Sequence, residues 1–283
     1  MTKRKEDNKS TWDRAREDTR TTEELIEAAI EQWDWDEEQI QAVWPHTGRT
    51  VIQARGDAKT LESIKVLCAS PKPRERAVGA GILGEFGLPQ RTLPAECVDL
   101  LLAMLEKETD DEVLASIGFA IGHQNKDERV VEPLIKLKAH PNEDVRFAVV
   151  RGLSSQEDNR AIAALLDLMK DPDEDVRDWA TFGVGQIYDW SDDPQRFDTP
   201  EIRQALLDRL DDPHWPTKHE ALEGLAMRRD TRVVDRIVQM LIEDNPTMND
   251  QLCEGLRAMN EHYTGSQEML ELALSRCEEE KPA

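Results

Sequence analysis

The residue types that most often carry chemistry are few in this sequence and do not cluster. There is no His-Glu-x-x-His segment and no Cys-x-x-Cys pair, so the ligand spacing of a zinc site is missing. His214 and His219 are five residues apart, which places their side chains on different faces of a helix. We therefore expect no metal site and no cofactor. The six histidines are His46, His123, His140, His214, His219 and His262.

One glycine pattern matches a phosphate-binding motif by letter alone. Gly79-x-Gly81-x-x-Gly84 has the spacing of a dinucleotide-binding loop, but such a loop follows a β-strand and these residues lie in a helical pattern. We interpret the three glycines as positions of close helix packing. No Gly-x-Ser-x-Gly elbow occurs, and the many carboxylates single out no acid/base pair by spacing. We expect a protein that is not an enzyme.

The charge balance bears on the partner. The 283 residues include 36 Lys and Arg against 59 Asp and Glu, a net charge of −23. Binding to phosphates needs clustered Lys and Arg, so this excess argues against nucleic acid and anionic membranes as direct ligands. A protein partner that is itself basic is the class that this charge favours.

The cysteines and the chain's first residues bear on location. Cys68, Cys97, Cys253 and Cys277 are widely spaced, and we interpret all four as reduced thiols. No run of 18 apolar residues could span a membrane, and the charged stretch from Met1 to Arg20 lacks the apolar centre of a secretory signal. These observations predict a cytoplasmic protein.

An internal repeat is the main signal in the sequence. Asp127-Glu-Arg-Val-Val131 recurs 31 residues later as Asp158-Asn-Arg-Ala-Ile162, and again as Asp230-Thr-Arg-Val-Val234. A second marker, a proline followed four and five residues later by Val-Arg, begins at Pro141 and at Pro172, again 31 residues apart. Each marker opens a helical pattern of apolar residues, so one unit is a helix, a tight turn and a helix.

Six such units are predicted from the apolar ends of their second helices. A helix pair of this length cannot bury its apolar face alone, but stacked neighbours share one core. We therefore predict an all-α, right-handed α-solenoid with capping helices at both ends. The expected organisation is a disordered tail over 1–20, an acidic and aromatic helical cap over 21–57, the repeat array over 58–261, and a capping helix with a frayed end over 262–283.

The pattern Asp-Pro-Asp-Glu-Asp-Val-Arg-Asp-Trp-Ala-Thr-Phe-Gly-Val-Gly at 171–185 resembles the HEAT-like repeats of bacterial proteins, a class named for phycobilisome lyases. The resemblance covers about residues 58 to 261. It implies HEAT-like helical hairpins and a binding surface, without implying one reaction. Similar proteins include bilin lyases, helical-repeat DNA glycosylases, assembly factors and immunity proteins that block toxins.

The arginines of the second marker hold equivalent places in successive units. Arg76, Arg146 and Arg177, with Lys218, each follow the marker proline at the same distance. We predict that they form a ladder in which each cation pairs with an Asp or Glu of the neighbouring unit. A basic stripe for phosphate is the minor alternative.

The candidate partner-binding residues lie around an enlarged connection between two repeats, which we place from Ile187 to Thr199. A loop carried on a rigid array is a common place for recognition, and Tyr and Trp are enriched in binding hot spots. The structural alternative is that Trp190 packs under the loop. The candidate residues are Trp179, Tyr188, Asp189, Trp190, Asp192, Asp193 and Trp215.

The N-terminal segment from Thr21 to Gly48 offers a second aromatic surface. It carries Trp33, Trp35 and Trp44 with eight acids and no Lys or Arg. We favour a cap that covers the first repeat, and a surface that docks on a basic partner is the alternative.

The leading functional hypothesis is a non-catalytic protein that binds a basic protein partner through an acidic concave and loop surface. Its sharpest form is an inhibitor or immunity protein that covers the basic active site of a nuclease toxin. The alternative is an enzyme or chaperone that handles a bilin chromophore, as the resemblance to bilin lyases implies. A DNA glycosylase is disfavoured by the acid excess.

Overall fold

The computed structural model describes residues 10–124, 126–243, 250–259, 265 and 267–279. Within this part of the chain every regular element is helical, as predicted. The first half contains α1 (Thr11–Arg16), α2 (Thr22–Glu31), α3 (Glu37–Val43), α4 (Gly48–Arg55), α5 (Ala58–Cys68), α6 (Pro73–Gly84), α7 (Pro94–Leu105), α8 (Asp111–Gly122) and α9 (Val131–Ile135). The second half contains α10 (Glu143–Ser154), α11 (Asn159–Leu168), α12 (Glu174–Trp190), α13 (Pro200–Arg209), α14 (Trp215–Met227), α15 (Val234–Glu243), α16 (Asp250–Met259) and α17 (Gln267–Glu279). Short 3-10 turns cover Gln32–Asp34, Glu128–Val130, Pro194–Phe197 and Thr231–Val233.

The chain divides into two compact units, Met1–Gly152 and Leu153–Ala283, with the boundary inside α10. The predicted hairpins are present in both. The six second helices are α6, α8, α10, α12, α14 and α16. Their apolar patterns predict ends near residues 84, 122, 154, 185, 226 and 257, and all but α12 end within three residues of these positions. In each unit the apolar side chains between first and second helices are fully buried, as at Ile117 in the first unit and Leu225 in the second.

The Asp-x-Arg segments are self-contained helix starts. Asp158 accepts a hydrogen bond from the backbone N–H of Arg160 at 2.7 Å, and both of its carboxylate oxygens also pair with the Arg160 guanidinium. The aspartate therefore satisfies an N–H that the helix cannot, while the arginine holds the pKa of that carboxyl below its usual value. The same arrangement starts the helical turns at Asp127–Arg129 and at Asp230–Arg232. The same bonds also occur, unforeseen from the sequence, at Asp18–Arg20, which precedes α2 without capping it.

Second helices approach each other closely because small residues face each other. A Cβ added at Gly118 in α8 would lie 2.7 Å from the Cβ of Ala148 in α10, and one at Gly224 in α14 would lie 2.8 Å from the Cα of Gly185 in α12. Contacts this short leave no room for a side chain, so these glycines set the spacing of the stack.

The predicted arginine ladder is confirmed at two rungs. Arg76 of α6 pairs with Glu108, which lies just before α8, through two bonds of 2.7 and 2.8 Å. Arg177 of α12 pairs with Asp212, which lies just before α14, at 3.0 and 3.1 Å. Both arginines also donate to a carbonyl of their own turn, Ser70 for Arg76 and Asp171 for Arg177, so each rung joins one turn to the next repeat.

The first twenty residues are not wholly a tail. Residues 1–9 lie outside the described part, but α1 forms within the stretch expected to be disordered. Ala15 is fully buried and Arg16 Nε donates to the carbonyl of Ala54 at 2.9 Å. The composition of this stretch is polar, yet a capping box at Ser10 starts the helix and one alanine anchors it against α4.

Two of the four cysteines are not reduced. Cys253 of α16 and Cys277 of α17 form a disulfide with their Cα atoms 5.8 Å apart, whereas Cys68 and Cys97 are buried free thiols. Sequence spacing does not reveal this pair because the packing of α16 against α17 brings the two sulfurs together across 24 residues. The prediction of a cytoplasmic location rested partly on reduced thiols, and this bond does not support it.

Replacing Gly118 with alanine tests the close approach of the second helices. We expect Gly118→Ala to lower the free energy of unfolding by about 1 to 3 kcal/mol, because the new methyl group must push α8 and α10 apart. Gly81→Ala in α6 is the matched control, since its Cβ would meet only ordinary contacts at 3.5 Å or more. Urea unfolding followed by circular dichroism measures both, and equal losses in the two variants would show that the spacing is not set at Gly118.

Candidate functional site

The predicted partner-binding residues lie mostly on a helix and not in a loop. Helix α12 continues about one and a half turns past the other second helices, so the enlarged connection begins at Ser191 and not at Ile187. Tyr188, Asp189 and Trp190 form the last turn of α12, whereas Asp192 and Asp193 are exposed in the connection that follows. The residues up to Trp190 are all compatible with a helix, which allows this extension. The break in the repeat period led to the prediction that the connection starts earlier.

Three aromatic side chains form a row along α12. The ring centroids of Trp179 and Phe182 are 5.4 Å apart, and those of Phe182 and Trp190 are also 5.4 Å apart, both in edge-to-face geometry. Trp190 remains 47% exposed, so it does not pack under the loop. A rigid row of half-exposed aromatic rings offers contact area at little entropic cost.

Tyr188 has a different environment from the row. The guanidinium of the buried Arg228 lies 5.1 Å from the Tyr188 ring centroid and donates to the carbonyls of Val184, Gly185 and Gly224 at 2.8 to 2.9 Å. Burial lowers the pKa of Arg228 to about 10, which still leaves it charged at neutral pH. Tyr188 therefore covers a cation that joins α12 to the end of α14.

The other predicted residues lie at the edges of this region. Trp215 occupies the first turn of α14 and is 45% exposed. Asp193 donates its backbone N–H to Ser191 Oγ at 3.1 Å, which fixes the start of the connection. Asp189 and Tyr188 share a cavity of about 220 Å³ with Arg229 and Glu254.

A group of carboxylates that the sequence reading missed lies between α12 and α14. Asp178, Glu220 and Glu223 project from the seam where the two second helices meet. Burial, together with smaller contributions from the neighbouring Glu223 and Asp178 carboxylates, raises the pKa of Glu220 to about 8. Burial also raises the pKa of Glu223 to about 7 and shifts that of Asp178 upward. The charged forms of these three groups are therefore poorly solvated.

Two polar side chains lie against Glu223. Gln186 Nε2 donates to Glu223 Oε2 at 3.4 Å, and His219 Nδ1 lies 3.1 Å from Glu223 Oε1. Burial lowers the pKa of His219, so its ring is neutral at neutral pH. Asp178 Oδ1 is buried and has no hydrogen-bond partner in the described part of the chain.

Together these residues form the α12–α14 face, which we define by Asp178, Trp179, Phe182, Trp190, Glu220 and Glu223. Asp178 and Phe182 are one helical turn apart, which places the Asp178 carboxylate on the same side of α12 as Phe182. Glu223 of α14 reaches α12 at Gln186, one turn further along. Such a face can take up a cationic group, whose charge would compensate the poorly solvated carboxylates. A carboxyl group with raised pKa can also donate a proton. A hint was present in the sequence, where acids interrupt the apolar second helices at 178, 220 and 223.

Comparisons with known proteins confirm the fold. Residues 98–185 match the family of HEAT repeats. The structure of YibA from Escherichia coli is similar at a TM-score of 0.59 and 20% identity, over 92% of this chain and 98% of that one. An archaeal HEAT-like repeats protein from Thermococcus onnurineus is similar at a TM-score of 0.52 and 15% identity, over 91% of this chain and 99% of that one.

These similarities bear on the fold alone. The complex of CpcE and CpcF of phycocyanin lyase from Nostoc is similar over 90% of this chain and 94% of that one at 15% identity, with a TM-score of 0.45 that is too low to support an argument. No curated protein matches the chain. Among the described residues, no helix has the length and apolar character needed to cross a bilayer, and no group of His, Cys, Asp and Glu could hold a metal ion.

The raised pKa of Glu220 predicts how stability depends on pH. Since the folded state keeps this proton up to about pH 8 while the unfolded chain releases it near its ordinary value of 4.5, stability falls as the pH rises between those values. Glu220→Gln removes the buried charge, so we expect it to stabilise the protein at pH 9 by roughly 1 to 3 kcal/mol more than at pH 5.

Thermal unfolding at pH 5 and pH 9 measures this difference. The control is Glu201→Gln on α13, where the side chain is exposed. A shift in melting temperature that is the same at both pH values for Glu220→Gln would contradict the buried carboxylate.

Proposed function

We propose that this HEAT-repeat protein is a non-catalytic interaction protein, and that its α12–α14 face binds a protein partner through a positively charged surface. The observation that carries the proposal is the position of three poorly solvated carboxylates beside a half-exposed aromatic row. HEAT repeats supply extended binding surfaces, and a Lys or Arg side chain inserted here would meet both a carboxylate and an aromatic ring.

The free protein holds these three carboxyl groups partly away from water. Burying a carboxylate costs free energy unless an opposite charge compensates it, and Asp178 Oδ1 has no hydrogen-bond partner among the described residues. A bound cation would stabilise the charged forms, lower their pKa values and release protons. Binding of a basic partner should therefore strengthen as the pH rises through about 7 to 8, the values of Glu223 and Glu220.

The net charge of −23 supports the same class of partner at longer range. A strongly acidic protein attracts a basic one and accelerates their encounter, with an effect that falls steeply as salt is added. The more specific form of the proposal is an inhibitor or immunity protein whose carboxylates and tryptophans cover the basic active site of a nuclease toxin, in place of its polyanionic substrate.

A matched pair of triple variants tests the α12–α14 face. At low salt we expect the wild type to capture a basic protein from a lysate of its source. The variant Asp178→Asn/Glu220→Gln/Glu223→Gln should not capture that protein, because it lacks the carboxylates that the partner's positive charge would compensate. The control is Glu201→Gln/Asp208→Asn/Asp235→Asn, which replaces the same number of carboxyl groups at exposed positions of α13 and α15. The readout is affinity capture with quantitative mass spectrometry, followed by calorimetry on the purified pair.

The outcome distinguishes binding at the α12–α14 face from attraction by the net charge of the protein. Loss of the partner in the first variant alone supports the proposal, and calorimetry should then show proton release on binding. Equal weakening in both variants would mean that net charge and not the α12–α14 face binds the partner.

The exposed acids in the last turn of α12 and just after it are expected to act on the rate of encounter. Removing the charges of Asp189, Asp192 and Asp193 should slow association with that partner several-fold at low salt and leave dissociation nearly unchanged, because these side chains lie at the edge of the face. Surface plasmon resonance at two salt concentrations measures both rates. Unchanged association would exclude this segment from the docking site.

A further inference from the structure

A second surface with recognition chemistry lies wholly within the first unit. Two cavities of about 610 and 550 Å³ share Trp33 and Arg49 as part of their walls. We call the pair the Trp33 groove. The first cavity continues past Trp33 to Phe119 and Asp144, and the second continues to Trp44. Because the two cavities follow one another along one surface, they suit an extended chain better than a compact molecule.

Tryptophans concentrate in this groove. Four of the seven in the protein, Trp12, Trp33, Trp35 and Trp44, line the second cavity. Trp44 is 46% exposed, and Trp33 is held in place by a hydrogen bond from its Nε1 to Glu112 Oε1 at 2.8 Å. A cap that only covers the first repeat would explain buried tryptophans. It does not explain tryptophans whose indole rings line an open cavity.

The polar groups of the second cavity are already engaged within the protein. Gln53 Nε2 donates to Glu85 Oε2 at 3.2 Å, Arg49 lies 3.5 Å from the same Glu85 oxygen, and Gln32 Oε1 accepts from the backbone N–H of Gly48. The remaining chemistry of this cavity is therefore aromatic, which suits a large apolar side chain.

The rim of the first cavity is acidic. Asp111, Glu112 and Asp144 are exposed there, against the single cation Arg49, whose charge faces Glu85. Burial lowers the pKa of His123 despite the nearby Glu85 carboxylate, so this histidine adds little positive charge at neutral pH. The rim is thus complementary to Lys or Arg, and an adjacent indole ring adds a cation–π contact.

Gly81 keeps the floor of the groove open. Of the three glycines in the letter-match to a phosphate-binding motif, Gly79 and Gly84 are required by packing, since added Cβ atoms would lie 2.8 Å from Cys68 Sγ and 2.9 Å from the Cα of Ala120. A Cβ at Gly81 would meet only Trp33 and Arg49, at 3.5 and 3.7 Å. Helix packing therefore does not demand a glycine here, and the space above Gly81 belongs to the groove.

We propose that the Trp33 groove binds an extended segment of a partner protein in which a large apolar side chain is flanked by Lys or Arg. The apolar side chain occupies the tryptophan-lined cavity, and a basic side chain reaches the rim of Asp111, Glu112 and Asp144. This site is separate from the α12–α14 face and does not depend on it.

The experiment uses the full-length chain and tryptophan-free heptapeptides, so that tryptophan fluorescence reports on the protein. The test peptide carries Lys-Phe-Lys at its centre, and the two controls carry Lys-Gly-Lys and Glu-Phe-Glu. We expect the test peptide to bind about tenfold more tightly than either control. Gly81→Leu should weaken it about tenfold by filling the groove, whereas Gly81→Ala should leave it nearly unchanged.

Further variants keep the result decisive. If Gly81→Leu does not fold, Ser116→Lys, which places a cation in the first cavity, should weaken binding by a similar factor. The triple variant of the α12–α14 face should bind the test peptide like the wild type, which separates this site from the proposed function. Equal binding of the three peptides, or no effect of both Gly81→Leu and Ser116→Lys, would overturn the proposal. A change in self-association on Gly81→Leu, measured by sedimentation, would also overturn it by identifying a second copy as the occupant.

Discussion

The close approach of neighbouring second helices is the constraint on which the other features depend. Where Gly118 meets Ala148, and where Gly185 meets Gly224, backbones come so near that no larger residue fits between them. Large side chains on these helices must therefore point either into the core shared with the first helices or out to the open face. The aromatic row of α12 and the carboxylates of the seam are both consequences of this sorting.

The same constraint explains why ordinary acids acquire unusual properties. Glu220 and Glu223 extend from α14 close to α12 because the helix axes are close, and water reaches them poorly. An equally acidic residue on a first helix, such as Glu201, stays exposed. In this protein the position of an acid within the repeat, and not the overall charge, decides whether it can respond to a partner.

Much of the fold could be predicted because repeated patterns are local. The helical hairpins, the Asp-x-Arg helix starts and the arginine ladder all depend on residues within one repeat or its neighbour. The site was harder to predict. The Trp190 ring lies on a helix that is longer than the second helices of the other repeats. The Cys253–Cys277 bond joins two helices. The burial of Asp178 is imposed by α14, which begins 37 residues later. Each of these depends on a contact that no spacing rule contains.

The Asp-x-Arg start has a consequence for how such a chain can change its length. Aspartate and arginine are two residues apart, and the aspartate accepts from the backbone N–H of that arginine and pairs with its guanidinium, as at Asp158 and Arg160. A duplicated stretch of 31 residues would bring its own helix start and one further rung of the ladder, and an excised one would remove both together. Evolution by gain and loss of whole repeats therefore meets little structural resistance in this architecture.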